Sequence, residues 1–143
     1  MWQDFITKYP HYNSSNVPES YYFCDNQKDA DACADLVVKG IKQASASSQW
    51  WYERNEEKPA KNGQLFIITN WEGEAKAIIK ITKIEPKPYN EITEEFAQIE
   101  GDKSLEYWKK VHWAFYIRER QPYHEKPSED MIIVCEYFDT VWS

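Results

Sequence analysis

Lys39-Gly40-Ile41-Lys42-Gln43-Ala44-Ser45-Ala46-Ser47 reads as a helix end, a glycine turn and the entry into an extended segment. Upstream, Asp25 or Asn26 can cap a helix from about Lys28 to Lys39, with Ala30, Cys33, Ala34, Val37 and Val38 at helical spacing. Asp29 and Asp31 suit its N-terminal end and Lys39 its C-terminal end, and Gly40 supplies the stop. Downstream, Ala44 to Ser48 reads as a strand of small residues. Lys42 and Ser45 therefore sit at the joint between helix and strand. Three residues of extended chain span at most about 10 Å, so a lysine side chain can reach back to the hydroxyl. A lysine beside a serine is one minimal apparatus for attacking an amide or ester. The plain alternative is a surface lysine after a helix and an ordinary strand hydroxyl.

Working outward, Trp2 to about Tyr9 has the spacing of a short amphipathic helix with Trp2, Phe5, Ile6 and Tyr9 on one side. Pro10 and Asn13-Ser14-Ser15-Asn16 end it. Tyr21-Tyr22-Phe23-Cys24 reads as a strand or buried extended segment, Gln49 to Glu53 as a short helix or turn, and Arg54 to Gly63 as a loop. Gln64 to Thr69 and Ala75 to Ile84 are strands joined by the hairpin-like Trp71-Glu72-Gly73-Glu74, and Pro86 and Pro88 are expected to break the second. Thr93 can cap a helix through Ile99, and Ser104 a longer one to about Glu119. Leu105, Trp108, Val111, His112 and Phe115 form the stripe of the longer helix. A closing strand covers Asp130 to Phe138. The order predicts a mixed α+β domain, its antiparallel strands curling into a small barrel with helices at the ends.

At 143 residues the chain suits one domain, with residues 1–20 as an N-terminal extension. Seven Trp and ten Tyr can fill its core, and the same side chains can line an amphipathic pocket. A net charge of −7 argues against duplex DNA and against wrapping a phosphate backbone, while leaving room for a small, locally basic cleft. Cys24, Cys33 and Cys135 form no CxxC pair and read as reduced thiols of a cytoplasmic protein. The start Met1-Trp2-Gln3-Asp4-Phe5 lacks a signal-peptide pattern, and no apolar run reaches membrane-spanning length. His11 and His124 lie in loops without metal-like spacing, and no cofactor or metal is expected.

Several separated pieces form an ordered set. They are Lys39-Gly40-Ile41-Lys42 followed by Ser45, Ile81 to Glu85 with Pro88 and Tyr89 behind it, and Thr93-Glu94-Glu95-Phe96-Ala97-Gln98-Ile99-Glu100-Gly101. The stretch Ser104 to Trp108 with His112-Trp113, and the ending Met131 to Tyr137, complete it. From about Tyr21 onward the set resembles the ASCH domain family of the PUA-like superfamily. The resemblance implies a small PUA-like β-barrel with flanking helices, a cleft between barrel and helices, and a link to RNA or modified nucleosides. Some small bacterial members of the family deacetylate 4-acetylcytidine with a lysine, a threonine three positions later and a distant glutamate. Carried over, these positions are Lys42, Ser45 and Glu100. Serine at the threonine position keeps the hydroxyl but loses a methyl that helps fix the rotamer. Other relatives resemble RNA-binding or RNA-cleaving modules.

Under that resemblance Lys42 takes the Ser45 proton, Ser45 attacks the acyl carbon, and Glu100 handles the leaving amine or the hydrolytic water. Lys42 must then be neutral, which burial beside Trp50, Trp51 or Tyr52 would favour and an adjacent Glu100 carboxylate would oppose. Lys39, Trp50, Trp51, Tyr52, His112 and Arg118 are the candidate substrate contacts. A base can stack on one of the aromatics, and Arg118 can meet a phosphate. The ordinary alternatives are core packing for the aromatics, a hydrogen-bonded histidine, and a surface ion pair for Arg118. The expected partners are a modified nucleoside or single-stranded RNA.

Overall fold

The computed structural model describes residues 1–13 and 15–143. The Asn13–Asn16 helix stop expected above includes Ser14, which lies outside the described residues. In chain order the elements are α1 (Trp2–Lys8), β1 (Ser20–Tyr21), α2 (Gln27–Val38), β2 (Ala44–Ser48), α3 (Gln49–Arg54), β3 (Leu65–Thr69), β4 (Ala75–Pro88), α4 (Glu94–Ile99), α5 (Leu105–Arg120) and β5 (Ile132–Trp142). Side-chain oxygens of Asn26, Ser48, Thr93 and Ser104 accept from backbone N–H groups of the first turns of α2, α3, α4 and α5, as their sequence positions require.

The strands form one sheet of order β1-β3-β4-β5-β2, antiparallel except for the parallel β1–β3 pair. The sheet is rolled. Phe23, just after β1, stacks on Phe138 of β5 with ring centroids 6.2 Å apart, although two strands separate β1 from β5 in the pairing order. The end strands β1 and β2 are not paired to each other, so the roll is not closed by hydrogen bonds.

Two expectations about strand ends are corrected. β4 does not stop before Pro86; it pairs with β5 through Pro86↔Val134 and Pro88↔Ile132. β3 pairs with β4 residues 75–80, and Gly63 and Gln64 just before it bond Ile81, so beyond Ile81 β4 has a free edge among the described residues. The Tyr89 N–H donates to Met131 O, which puts the N–H groups of Lys83, Glu85, Lys87 and Tyr89, beyond the register shift, toward β5 and positions 86 and 88 toward that free edge. A proline there sacrifices no ladder bond. Of the Tyr21–Cys24 segment only Tyr21 joins the sheet, together with Ser20 before it, and the chain leaves extended geometry at Cys24, whose φ is +70°.

Three apolar clusters hold these layers. Inside the roll, Ala34 and Val37 of α2 meet Phe23, Phe66, Ile68, Ala77, Ile79, Ile81 and Phe138. On the other face, Ala44, Ile133 and Cys135 of β2 and β5 meet Phe96, Ala97, Trp108 and Tyr116 of α4 and α5. Phe5 of α1 packs on Ile67 and Ile78. The buried face of α5 is centred on Trp108, His112 and Tyr116; Val111, expected on the stripe, is 38% exposed. At 100° per residue Val111 falls about 100° from that centre, beyond the edge of a stripe this wide.

Candidate functional site

Two helix ends of the same kind face each other. At the end of α2, Gly40 N–H donates to Val37 O and Ile41 N–H to Leu36 O, with Gly40 at φ +72°. At the end of α4, Gly101 N–H donates to Gln98 O and Asp102 N–H to Ala97 O, with Gly101 at φ +99°. Both are Schellman stops, which need a left-handed residue that only glycine adopts without strain. The first stop turns the chain so that Lys42 points inward. The second leaves Glu100 as the last residue before the turn. Gln43 ties the ends together: its N–H donates to Ile99 O, and its carbonyl accepts from Phe138 N–H of β5.

Lys42 is 5% exposed, and its Nζ donates to Ala44 O at 2.8 Å and Glu100 O at 3.2 Å. Glu100 Oε1 lies 3.6 Å from the same nitrogen. An ammonium has three N–H donors, and three acceptors surround this one. Glu100, also 5% exposed, receives the indole N–H of Trp108 and lies 3.2 Å from His112 Nε2. The His112 ring stacks on Trp108 at 4.2 Å, and its Nδ1 is 2.9 Å from Trp108 O. A carbonyl at Nδ1 and a carboxylate at Nε2 are both acceptors, so both ring nitrogens donate only in the imidazolium form. Burial alone would lower the His112 pKa, but the Glu100 charge and its hydrogen bond prevail and raise it. Burial alone would raise that of Glu100; the His112 and Lys42 charges, with hydrogen bonds from His112 and Trp108, bring it down to about 2. Asp102, 3.9 Å from His112 Nδ1, is shifted upward by burial and by the Glu100 charge.

Glu100, Asp102 and His112 are the one grouping among the described residues whose donor atoms lie close enough to hold a metal ion, within 4.8 Å of one another. Lys42 already supplies a positive charge to Glu100, and His112 turns its N–H groups toward acceptors. These residues are arranged as an ion-pair network, which does not fit a cation.

Ser45 stands on the next strand face. Ala44 and Ala46 point into the α4–α5 core, and Ser48 Oγ donates to Glu119 of α5, so Ser45 and Ser47 face the inside of the roll. Opposite Ser45 in the ladder is Glu136, whose Oε1 accepts from the Tyr52 hydroxyl at 2.6 Å. Burial raises the pKa of Glu136 against the effect of that bond, and Tyr52 and Tyr21 shift upward through burial and the nearby Glu136 charge. Lys42 Nζ touches the carbonyl of the peptide that leads into Ser45, while no hydrogen bond among the described residues joins the amine to the Ser45 hydroxyl. The structure thus brings Lys42 and Glu100 into contact and puts Ser45 one peptide away.

The other candidates divide. His112 joins the network directly, and Tyr52 reaches the Ser45 face through Glu136. Trp51 packs edge-on against Tyr52. Trp50 is elsewhere: its indole N–H donates to Glu125, and the Arg54 and Arg120 guanidiniums and the Tyr123 ring surround it. The expected aromatic wall beside Lys42 is instead Phe23, with its ring centroid 4.9 Å from Nζ. Arg118 is committed to Asp25 at 2.8 and 3.2 Å, with its side chain half exposed. Lys39 lines a surface groove of about 490 Å³ with Lys8, Tyr9 and Thr140–Ser143, which none of the other candidates lines.

Trp108, Phe23 and Glu136 belong to the site and were not expected there from sequence. Trp108 reads as core because it lies on the helix stripe, and Phe23 joins Lys42 only through the roll of the sheet. Glu136 did carry a signal: it is an acidic residue within the apolar run Met131–Phe138.

The ASCH domain profile matches residues 19–142. The structure of an ASCH domain from Lactobacillus crispatus JV V101 is similar at 35% identity and TM-score 0.89, over 99% of this chain and 94% of that one. Protein EF3133 from Enterococcus faecalis V583 is similar at 37% identity and TM-score 0.90, over 99% and 85%. The hypothetical protein PH0355, at 21% identity and TM-score 0.53 over 78% and 93%, shares the fold. No curated protein matches the sequence. The architecture is the α+β, PUA-like arrangement of ASCH structures. No helix among the described residues is long and apolar enough to cross a membrane.

Proposed function

Because this chain belongs to the ASCH domain family, we propose that it hydrolyses a small N-acylated nucleoside at Lys42, Ser45 and Glu100. The observation that carries this reading is the buried Lys42–Glu100 contact at 3.6 Å, with Lys42 Nζ against the peptide that leads into Ser45. Ser45 Oγ adds to the acyl carbon, and its proton passes to Lys42 Nζ, which acts as base in its neutral form. Collapse of the adduct expels the amine, which takes that proton from Lys42 and leaves an acyl ester on Ser45. Glu100, held as a carboxylate by the His112 charge, then takes a proton from water as the water oxygen attacks the ester. The proton returns to Ser45 Oγ, and the products are the free amine and the carboxylic acid. The cycle requires bound substrate to draw Lys42 away from Ala44 O and the resting ammonium to give up one proton to solvent before Ser45 attacks.

A second reading rests on one observation: all three donors of the Lys42 ammonium face acceptors, and none of those acceptors is Ser45. On that reading the protein binds a nucleotide or single-stranded RNA without chemistry, and Lys42 supplies fixed positive charge. A ribonuclease would use the same charge on a phosphate. The test is incubation of the purified protein with 4-acetylcytidine, reading cytidine and acetate. Deacylation predicts their release in equal amounts; no turnover at high enzyme concentration sinks it. A shift of tryptophan fluorescence on adding single-stranded RNA that stays intact supports the binding reading, and RNA cleavage abolished by Lys42→Ala supports the ribonuclease.

A further inference from the structure

Beside the Lys42 site stand two thiols. Cys24 follows Phe23, the aromatic wall over Lys42, and Cys33 lies on the second turn of α2. Their sulfurs are 3.7 Å apart. Both are reachable from outside, since Cys24 is exposed and Cys33 partly so, whereas Cys135 is buried in the α4–α5 core.

We propose that Cys24 and Cys33 are a dithiol modification site, closed to an intramolecular disulfide by a peroxide-class oxidant. The distance supports this directly. A disulfide needs its sulfurs at about 2.05 Å, so a movement of under about 2 Å closes the bond, within the reach of side-chain rotation plus a small backbone shift. The backbone at Cys24 is also placed to give, because its left-handed φ of +70° is unfavourable for a residue with a side chain. The local chemistry favours a nucleophilic sulfur at Cys33. The two sulfurs share an S–H···S contact and the Lys42 ammonium stands nearby, and these together lower the pKa of the Cys33 thiol against its burial. The Cys24 thiol moves upward, through its contact with Cys33 and its burial.

The Cys33 thiolate attacks one peroxide oxygen, the O–O bond breaks, and the departing hydroxide leaves a sulfenic acid on Cys33. Cys24 Sγ then attacks the Cys33 sulfur, the S–O bond breaks, and hydroxide leaves. The Cys24 proton and one proton from solvent convert the two hydroxides to water. Two thiol sulfurs are oxidised and one peroxide is reduced. The bridge fastens the residue next to Phe23 onto α2, so it bears on the wall of the Lys42 pocket. The proposal stands on the thiol geometry and is independent of which reaction the pocket performs.

The test is mass spectrometry of the full-length protein after hydrogen peroxide, followed by iodoacetamide alkylation in denaturant and peptide mapping. The expected product is monomeric and two hydrogens lighter, with the Cys24 and Cys33 peptides cross-linked, Cys135 alkylated, and the original mass restored by dithiothreitol. Cys24→Ser should show no such loss of hydrogen, and Cys33 should then carry oxygen instead. The proposal is overturned if Cys24 and Cys33 are both alkylated after peroxide, or if they gain oxygen independently in the wild type. It is equally overturned if the cross-link joins two chains, or if it persists through Cys135 in Cys24→Ser.

Discussion

Replacing Glu100 by Gln keeps the side-chain shape and removes the charge that two buried cations face. The magnitude follows from the carboxyl group. Its pKa falls from 4.5 to about 2 on folding, which at about 1.36 kcal/mol per pH unit corresponds to about 3 kcal/mol. A folded-state pKa below the unfolded value gives stability that is full above 4.5 and is lost as the pH falls toward 2. His112 has the opposite sign: its folded-state pKa is raised, so its contribution is full below 6.5 and is lost as the pH rises through the folded value. Both describe one interaction seen from either partner, so they are not added. The Glu100→Gln substitution leaves Lys42 with neutral acceptors and no counter-charge, and breaking one side of a buried pair costs about 3–5 kcal/mol. Urea denaturation of both proteins from about pH 6 down to about pH 3 measures it. Glu100→Gln should be less stable by about 3 kcal/mol at about pH 6, and the gap should narrow steadily as the wild-type carboxylate loses its advantage. A loss below about 1 kcal/mol at that pH, or a gap that does not change with pH, refutes the buried ion pair.

Trp108→Phe removes the indole N–H that Glu100 accepts, at an expected cost of about 1.5–3 kcal/mol in the same denaturation assay, and NMR titration should find the Glu100 pKa raised. Gly101→Ala forces a side chain onto a φ of +99°, with its Cβ 3.3 Å from Leu36 Cδ1; a loss above about 1 kcal/mol in thermal melting is expected, and a neutral outcome would contradict the left-handed helix stop. Arg118→Ala breaks an ion pair whose side chains are 50% and 38% exposed, so stability should change by less than about 1 kcal/mol.

What the sequence disclosed depended on how local the cause was. Gly40 after Lys39 marked the end of α2 because a Schellman stop is written in adjacent residues. The caps at Asn26, Thr93 and Ser104 were legible for the same reason. Gly101 carried the same signal after Glu100, and reading it would have shown that two similar stops can present Lys42 and Glu100 to each other. Whether a proline breaks a strand was not legible, because Pro86 and Pro88 are tolerated only by the free edge of β4, a property of the sheet order. The site was legible as residue types and not as partners. Spacing allowed a lysine turned to a serine and the family resemblance favoured it, but in the fold the ammonium spends its donors on Ala44 O and Glu100. Trp50, Trp51 or Tyr52 was expected beside Lys42, one or two of them at most. Successive helix residues point different ways, so Trp50 went to Arg120 and Tyr52 to Glu136, and the wall came from Phe23.

The proposed reaction turns on whether Ser45 becomes a nucleophile when substrate enters the Lys42–Glu100 site. The most direct measurement is to quench the protein with acid during exposure to 4-acetylcytidine and map acetylated peptides by mass spectrometry. The expected result is an acetyl group on Ser45 that builds up in Glu100→Gln, where hydrolysis of the ester is impaired, and is absent from Ser45→Ala together with turnover. Cytidine release by Ser45→Ala at the wild-type rate, with no acetyl group on Ser45 in either of the other proteins, would contradict it.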